Sequence, residues 1–302
     1  MSRPLVLASP GAAEAAARLA ACLDAEVVPV ESRRFPDGES YLRVAGEVAG
    51  REAIVVARLR DPDPQLPALL FLADTLRELG AASVGLVAPY LPYMRQDARF
   101  RPGEAVSSRS LAKWLDGAFD WLATVDPHLH RVSGLAALYR IPTAVVPSAA
   151  AIALWVQRHV ARPHIVGPDA ESAQWAREVA ALVPCGASVL RKTREGDRAV
   201  RLELPDLAPL AGRTPVLVDD IVSSAHTAAE AVRALRGAGL AAPVCIAVHA
   251  VFAEGAEALL AAAGTARVAS CNTLAHPSNA IDVWPALAEA VRALREEARL
   301  RR

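Results

Sequence analysis

The segment that decides the fold is Pro215-Val-Leu-Val-Asp-Asp-Ile-Val-Ser-Ser-Ala-His-Thr227. Its apolar first half predicts a buried strand, Pro215–Asp219, that ends in two adjacent carboxylates, and an alanine-rich helix is predicted to begin at Thr227. The small residues between them form a loop at a helix N-terminus, where unpaired backbone N–H groups can bind an anion. Paired carboxylates suit neighbouring hydroxyl groups, so the segment favours a sugar phosphate as ligand. An ordinary strand–turn–helix connection with acidic residues is the alternative.

The rest of the chain repeats this alternation of strands and helices. Short β-branched runs alternate with alanine-rich amphipathic segments, which predicts an α/β fold with mostly parallel sheets flanked by helices. The strands are too many for one small sheet, and the pattern divides into two domains of similar size, residues 1–145 and 146–284. The final helix, 285–302, places apolar residues on one face and is predicted to pack back on the first domain.

Composition excludes several classes of protein. The 302 residues carry no net charge and have a pI of about 7.1, so no basic surface for nucleic acid or for an anionic membrane is expected. No apolar stretch has the length of a membrane span, and the N-terminus lacks a signal-peptide pattern, so a cytoplasmic location is expected. The four cysteines form no CxxC pair and are predicted to be buried free thiols: Cys22, Cys185, Cys245 and Cys271.

Two segments of the first half have the composition of binding loops. Arg34-Phe-Pro-Asp-Gly-Glu-Ser-Tyr41 contains a Pro-Asp-Gly turn, for which a simple hairpin is the alternative. The long segment from Pro89 to Glu104 combines arginines, which bind phosphates, with aromatic rings, which can support a base. A long exposed surface loop is its alternative. The sequence has no Walker A motif and no GxGxxG motif, so a nucleotide would have to bind by another route.

Together these segments resemble the ribose-phosphate diphosphokinases, also called ribose-phosphate pyrophosphokinases or phosphoribosyl diphosphate synthetases. The resemblance continues in order along the chain, and its further segments are Asp126-Pro-His128, Pro168-Asp169-Ala170, Arg191-Lys-Thr-Arg194, Asp219–Thr227 and Cys271–Asn279. It implies two similar domains of type I phosphoribosyltransferase-like fold, the first binding ATP and the second ribose 5-phosphate. The implied reaction transfers the diphosphoryl group of ATP to the 1-hydroxyl of ribose 5-phosphate.

The resemblance also implies roles for individual residues. Lys192 and Arg194 are the expected catalytic residues, and a Mg²⁺ ion is expected near His128 and Asp169. The expected ATP-binding residues are Phe35, Asp37, Glu39, Arg95, Gln96, Asp97 and Arg99. The expected ribose 5-phosphate-binding residues are Asp169, Asp219, Asp220, Ser223, Ser224, Ala225, His226 and Thr227. Because the family builds its ATP site between subunits, a homo-oligomer is expected, either a dimer or a hexamer built of dimers.

The chain departs from the family pattern at several positions. Ser223 replaces a usual aspartate, His226 replaces a usual glycine, and Ala98 replaces a basic residue. Arg131-Val-Ser-Gly-Leu135 stands where the family has Gln-x-Gln-Gly-Phe, a region of subunit contacts. Only two of the 33 basic residues are lysines, Lys113 and Lys192, and the second falls in the catalytic segment.

Two other functions and one other metal site are alternatives to this interpretation. A phosphoribosyltransferase would share the sugar-phosphate loop but would need only one such domain. A non-catalytic paralogue that regulates other enzymes fits the altered positions 223 and 226, whereas the presence of Lys192 and Arg194 speaks against it. A zinc site at His128-x-His130 lacks a clear third ligand.

Overall fold

The computed structural model describes residues 3–129, 131–195, 199–203 and 207–300, with the backbone alone for 191–195 and 199–203. The chain divides into two compact units. The first contains Met1–Val146 together with Trp284–Arg302, and the second contains Pro147–Val283.

The first unit is a six-stranded parallel sheet flanked by helices. Its elements in chain order are β1 (Leu5–Ala8), α1 (Ala13–Leu23), β2 (Glu26–Val28), β3 (Val30–Arg34), β4 (Ser40–Val44), β5 (Glu52–Val56), α2 (Leu66–Glu78), β6 (Ser83–Val87), α3 (Ser107–Ala118), β7 (Trp121–Val125) and β8 (Thr143–Val146). The sheet order is β2-β1-β5-β6-β7-β8. Strands β6 and β7 are buried along their whole length, because helices cover both faces of a parallel sheet.

The second unit is also a six-stranded parallel sheet. Its elements are α4 (Ala149–His159), β9 (Pro163–Gly167), α5 (Ala173–Leu182), β10 (Ala187–Val189), β11 (Arg191–Glu195), β12 (Ala199–Glu203), β13 (Thr214–Val222), α6 (His226–Gly237), β14 (Val244–Ala250), α7 (Ala256–Ala263), β15 (Arg267–Cys271) and β16 (Asn279–Ile281). The sheet order is β10-β9-β13-β14-β15-β16. Two parallel sheets flanked by helices confirm the predicted fold class.

The two units have the same topology. In each, the second strand of the sheet lies outside the first, and the third strand lies on the other side of the first. In each, a two-stranded antiparallel hairpin separates the second strand from the third: β3–β4 in the first unit and β11–β12 in the second. The chain therefore contains a structural duplication that its sequence is too divergent to show.

The last helix, α8 (Trp284–Leu300), belongs to the first unit. Its apolar stripe, Leu287, Val291 and Leu294, is buried. Glu52, at the start of β5, accepts hydrogen bonds from two arginines of this helix, Arg295 at 2.8 Å and Arg299. Apolar packing and a partly buried ion-pair cluster thus hold α8 against the sheet.

The first hairpin begins close to the sheet, because only Pro29 separates the end of β2 at Val28 from the start of β3 at Val30. Cys245 and Cys271 are buried, but Cys22 and Cys185 are partly exposed, so the prediction of four buried thiols is wrong for two. No helix within the described ranges has the length and hydropathy needed to cross a bilayer.

Candidate functional site

The second unit has its functional edge between β9 and β13. At this point the strand order reverses, because β10 extends the sheet on one side of β9 and β13 on the other. In open parallel sheets, ligands bind outside the carboxyl ends of the strands at such a switch point. Asp169 follows β9, and Asp219 and Asp220 lie in the last part of β13, so the topology brings the predicted sugar-binding acids to one edge.

The two adjacent acids lie within β13, not at its end. The strand was predicted to stop at Asp219, but it pairs with β14 as far as Val222, because Ile221 and Val222 continue the apolar pattern. Successive side chains of a strand point to opposite faces. Accordingly Asp219 is partly exposed, whereas Asp220 is 4% exposed.

The loop that is predicted to bind the 5-phosphate directly follows β13. Ser223 and Ser224 leave the strand, and Ala225 adopts a left-handed conformation with φ 60° and ψ 9° immediately before α6. No side chain caps this helix, and Ala225 O accepts a backbone hydrogen bond from Ala229 N at 2.8 Å. A left-handed residue at a helix N-terminus turns the backbone N–H groups toward one concave point, the geometry of an anion-binding nest.

His226 is the first residue of α6, and its side chain is exposed. The left-handed conformation falls on Ala225, one residue earlier, and His226 has helical backbone although the family has glycine at this position. The imidazole therefore stands at the rim of the loop, and Thr227 follows it in the first turn.

Asp169 organises the loop between β9 and α5. Its Oδ1 accepts the backbone N–H groups of Glu171 at 3.1 Å and Ser172 at 3.2 Å, and the Ser172 hydroxyl donates to Asp169 O at 2.8 Å. Gly167 is needed here, since a Cβ at this position would lie 2.9 Å from Ser172 Oγ. These bonds fix the direction of the Asp169 carboxylate.

The predicted catalytic pair lies in the second hairpin. Lys192 and Arg194 both belong to β11, where Lys192 is opposite Leu202 and Arg194 is opposite Val200 of β12. Their side chains and the connecting residues 196–198 lie outside the described part of the chain.

The first hairpin carries three of the predicted ATP-binding residues. Phe35, Asp37 and Glu39 form its exposed tip, closed by hydrogen bonds from Phe35 N to Glu39 O at 2.8 Å and from Gly38 N to Phe35 O at 2.9 Å. Gly38 has φ 92°, which accounts for a glycine at this position. The simple-hairpin alternative is thus correct for the backbone. ATP binding by these three residues remains a prediction.

Behind the tip, a cation–π cluster fixes the aromatic ring. The Arg33 guanidinium lies 4.4 Å from the ring centroids of both Phe35 and Tyr41. Arg33 and Tyr41 are opposite each other in the hairpin register, so the cluster forms on one face of the ribbon. It holds Phe35 in a defined position although the ring is exposed.

The second segment that is predicted to bind ATP, from Pro89 to Glu104, follows β6. Arg95 and Arg99 are exposed, as ligands for phosphate would be. Asp97, by contrast, is buried, and its Oδ1 pairs with Arg131 at 3.0 Å. Gln96 donates through Nε2 to Ala98 O at 3.1 Å. The side chains of Gln96 and Asp97 therefore position the segment. Arg95 and Arg99 are exposed, although Arg99 Nε also donates to Glu104 O at 2.8 Å.

Tyr93 anchors the start of the same segment. It adopts φ 63°, and its hydroxyl donates a hydrogen bond to Asp63. Burial, together with the Asp63 carboxylate, raises the pKa of Tyr93 to about 12. The phenol therefore stays protonated and serves as a hydrogen-bond donor at neutral pH.

His128 follows β7, at the same edge of the first sheet as the segment after β6. Its side chain is partly buried, and it belongs to the first unit, whereas Asp169 belongs to the second. His130, the other histidine of the predicted His-x-His pair, lies outside the described residues. Among the residues that are described, no cluster of three or more His, Cys, Asp or Glu side chains could hold a metal ion.

Comparison with known proteins identifies the family. The model for the N-terminal domain of ribose phosphate pyrophosphokinase matches residues 5–118, and the phosphoribosyl transferase domain matches 138–286. The ribose-phosphate pyrophosphokinase of Methanopyrus kandleri is 35% identical over 95% of this chain and 98% of its own. That of Methanothermobacter thermautotrophicus is 34% identical over 92% of this chain and 96% of its own. The chain belongs to the ribose-phosphate pyrophosphokinase family.

The solved structures agree. Phosphoribosylpyrophosphate synthetase from Mycobacterium smegmatis superimposes with a TM-score of 0.86, at 26% identity, over 98% of this chain and 100% of that one. Membership in the ribose-phosphate pyrophosphokinase family confirms the resemblance read from the motifs, and it makes this protein an enzyme that transfers diphosphate groups.

Two residues of this family member were not recognised from the sequence. Arg131 was noted only as part of a departure from the family, yet it pairs with Asp97 and lies 4.9 Å from the ring centroid of Phe100. His249 is buried in β14, where its Nδ1–H donates to Thr273 Oγ1 at 3.0 Å while the threonine hydroxyl donates to Val248 O at 2.9 Å. The sequence around Arg131 and around His249 gives no local indication of these contacts, because the partners lie far away along the chain.

Proposed function

We propose that this protein transfers the β,γ-diphosphoryl group of ATP to ribose 5-phosphate, giving 5-phosphoribosyl 1-diphosphate and AMP. The anomeric hydroxyl oxygen forms a bond to the β-phosphorus, the bond from that phosphorus to the α–β bridging oxygen breaks, and a proton is released from the hydroxyl. The observation that carries the proposal is the switch-point edge of the second unit, with Asp169, Asp219 and Asp220 beside an uncapped helix N-terminus.

The acids and the loop of the second unit bind different parts of the sugar phosphate. Asp219 and Asp220 accept hydrogen bonds from the ribose hydroxyls, and the backbone N–H groups of the loop from Ser223 to Thr227 hold the 5-phosphate. The hydroxyls of Ser223, Ser224 and Thr227 add donors. His226, at the rim, adds a donor that carries a positive charge when protonated.

On the nucleotide side, two segments of the first unit contribute. The Phe35 ring supports the base, with Asp37 and Glu39 near the nucleoside, while Arg95 and Arg99 bind phosphate oxygens. Gln96 and Asp97 keep that segment in place through their contacts within the protein. Lys192 and Arg194 stabilise the charge that develops on the β-oxygens and on the leaving AMP.

The residues present fit a Mg²⁺ ion brought by the nucleotide. Mg²⁺ keeps several waters and binds through substrate phosphates and few protein ligands. We propose the Asp169 carboxylate, oriented by two backbone N–H groups, as a protein ligand of such an ion. When bound, the ion neutralises charge on the phosphate oxygens.

We also propose a homo-oligomer, either a dimer or a hexamer of dimers. Residues 31–39 of the first hairpin are all exposed in the single chain, including the Phe35 ring at 39% exposure. An aromatic ring presented at the tip of an exposed ribbon suits a contact with a second subunit. Light scattering after size-exclusion chromatography tests this, and a monomer that remains active would contradict it.

The reaction is tested by incubating the purified protein with ATP, Mg²⁺ and ribose 5-phosphate. AMP is expected to appear in step with phosphoribosyl diphosphate, because the cleaved bond lies between the α and β phosphorus atoms. Formation of ADP would indicate an ordinary kinase. Consumption of phosphoribosyl diphosphate with a nucleobase, without use of ATP, would indicate a phosphoribosyltransferase, and no turnover by the folded protein would indicate a regulatory paralogue.

A further inference from the structure

A proline-rich loop of the first unit contacts both of the segments proposed to bind ATP. This proline loop, Asp61-Pro-Asp-Pro-Gln65, lies between β5 and α2. It is closed by hydrogen bonds to Pro62 O from the backbone N–H groups of Gln65 and Leu66, both at 2.9 Å. Because each proline also fixes φ at about −65°, the loop is stiff. None of its residues is among those predicted to bind a substrate.

The proline loop holds the first hairpin through Arg34. The guanidinium of Arg34 donates through Nη2 to Pro64 O at 2.8 Å and through Nη1 to Gly38 O at 2.8 Å. The first bond reaches the proline loop, and the second closes the hairpin tip that carries Phe35. A guanidinium makes both bonds at once because its donors form a rigid fork. Arg34 therefore fixes the position of the tip relative to the loop.

The same loop holds the segment after β6 through Tyr93. The Tyr93 hydroxyl donates to Asp63, the residue before Pro64, and the ring packs against the core of the first unit. Tyr93 also has left-handed backbone, φ 63°, a conformation that persists only where the surroundings hold it. Arg95 follows two residues later, and Gln96 N donates to Tyr93 O at 3.3 Å. The start of the arginine segment is thus tied to the loop.

These contacts form one chain of links in series. From the hairpin tip it runs through Arg34 to Pro64 and Asp63, and from there through Tyr93 to the segment after β6. Breaking either link separates the tip from the segment to the same extent. Two independent local contacts would behave differently, because their losses would add.

We infer that the proline loop is a positioning element of the nucleotide site, with Arg34, Asp63 and Tyr93 as its positioning residues. The inference rests on the proposed function, since both linked segments are proposed to bind ATP. Segments that are already in place need less ordering when the ligand binds, so the links favour ATP affinity. The same holds if the tip and the segment that contact one ATP molecule belong to two subunits, because each must then keep a fixed place on its own unit.

The test is a double-variant cycle of charge-conserving changes, measured as ATP affinity by isothermal titration calorimetry with Mg²⁺ present. Arg34→Lys keeps the charge but replaces the fork by a single ammonium, and Tyr93→Phe keeps the ring but removes the hydroxyl. The matched control combines Arg43→Lys with Tyr139→Phe. Arg43 pairs with Glu31 on the same hairpin, and the buried Tyr139 hydroxyl has no hydrogen-bond partner among the described residues.

Arg34→Lys and Tyr93→Phe are each expected to raise the dissociation constant for ATP about two- to fivefold, the scale of an exposed hydrogen bond that involves a charged group. The double variant should bind no more weakly than the weaker single variant, because the links are in series. The control should bind ATP like the wild type. In all variants kcat and the KM for ribose 5-phosphate should stay within about twofold of the wild-type values, a split that a general loss of structure would not give.

Additive losses in the double variant would overturn the inference, as would unchanged ATP affinity in both single variants. Equal losses in kcat and in ribose 5-phosphate affinity would also overturn it. If circular dichroism shows that Tyr93→Phe is unfolded, Asp63→Asn replaces it in the cycle. That change weakens the same hydrogen bond and removes a negative charge, so a lower affinity for anionic ATP would not be electrostatic.

Failure of the proposed reaction gives a different result. A wild-type protein that binds ATP and forms no AMP with ribose 5-phosphate would refute the reaction. The affinity cycle needs no turnover, so it would still decide whether the proline loop positions the nucleotide site.

Discussion

At the scale of single residues, the candidate site combines strained backbone with two kinds of charged side chain. Some are held by contacts within the protein, and others are exposed to solvent. Ala225 is left-handed without being glycine, a conformation that costs about 1 kcal/mol or more for a residue with a Cβ. Asp97 and Asp169 have carboxylates fixed by neighbours, whereas Arg95 and Arg99 are exposed. Side chains held by contacts within the protein and side chains exposed to solvent therefore alternate along the segment after β6.

Replacing Lys192 by alanine is expected to leave ATP binding nearly intact and to lower kcat by orders of magnitude, because the ammonium acts on charge that develops in the transition state. Lys113→Ala is the matched control, since it removes the only other lysine and should keep near-normal turnover. Steady-state kinetics and calorimetric ATP binding give the two readouts. Equal losses of binding and turnover, or neither, would contradict the role.

Ala225→Gly is expected to raise the free energy of unfolding by about 0.5–1 kcal/mol, because glycine adopts φ 60° without strain. Ala234→Gly, in the interior of α6, should lower it by about 1 kcal/mol. Urea denaturation measures both. Destabilisation of the same size at the two positions would show that Ala225 is not strained.

His226→Gly is expected to raise the Michaelis constant for ribose 5-phosphate with little change in kcat, because it removes a hydrogen-bond donor from the rim of the loop at the start of α6. The measurement is initial rate against ribose 5-phosphate concentration for the two proteins. Superimposable curves would remove His226 from the site.

At the scale of elements, the two hairpins and the segment after β6 carry the predicted nucleotide-binding and catalytic residues. The segment after β6 is held by a contact between parts of the chain that lie far apart in sequence. The pair Asp97–Arg131 joins segments 34 residues apart. The side chain of Asp97 is 3% exposed and that of Arg131 is 51% exposed. The buried partner is the one that would be left uncompensated if the pair were broken.

Asp97→Asn and Arg131→Gln are each expected to raise the Michaelis constant for ATP with little change in kcat, since both loosen the segment that presents Arg95 and Arg99. The double variant should be less impaired than the sum of the two, with a coupling energy of about 0.5–3 kcal/mol for residues in contact. Strict additivity in this cycle would mean that the pair does not position the segment.

At the scale of the whole molecule, the chain uses one topology twice and closes the first unit with its last helix. The pKa of Glu52 reflects that closure. Burial acts to raise it, but hydrogen bonds from Arg299 and Arg295 outweigh burial and leave the pKa below its ordinary value. The pKa of Glu52 therefore reports whether α8 is packed against the sheet.

Because the pKa of Glu52 is lower in the folded than in the unfolded chain, its stabilisation is complete above the unfolded value, near ~4.3, and is lost as the pH falls through the folded value. Glu52→Gln should lower the free energy of unfolding at neutral pH by about 1–3 kcal/mol, the range for hydrogen bonds to charged groups. It should also weaken the loss of stability in acid. Glu31→Gln, which breaks the exposed pair with Arg43, should cost under about 1 kcal/mol.

Local sequence predicted the alternation of strands and helices, the fold class and the family, because each buried parallel strand and each amphipathic helix has a pattern within its own few residues. The left-handed conformation of Ala225, directly before α6, was not predictable, since it depends on backbone geometry and not on residue type.

By itself the sequence determined the element types, the order of the motifs and the kind of chemistry at each one, since local propensity and residue type are properties of short segments. Only the tertiary structure decided that β13 continues past Asp219 and Asp220 and that the buried Asp97 carboxylate pairs with Arg131. Each of these depends on contacts between segments far apart along the chain, and such contacts form only when parallel strands and their helices are packed.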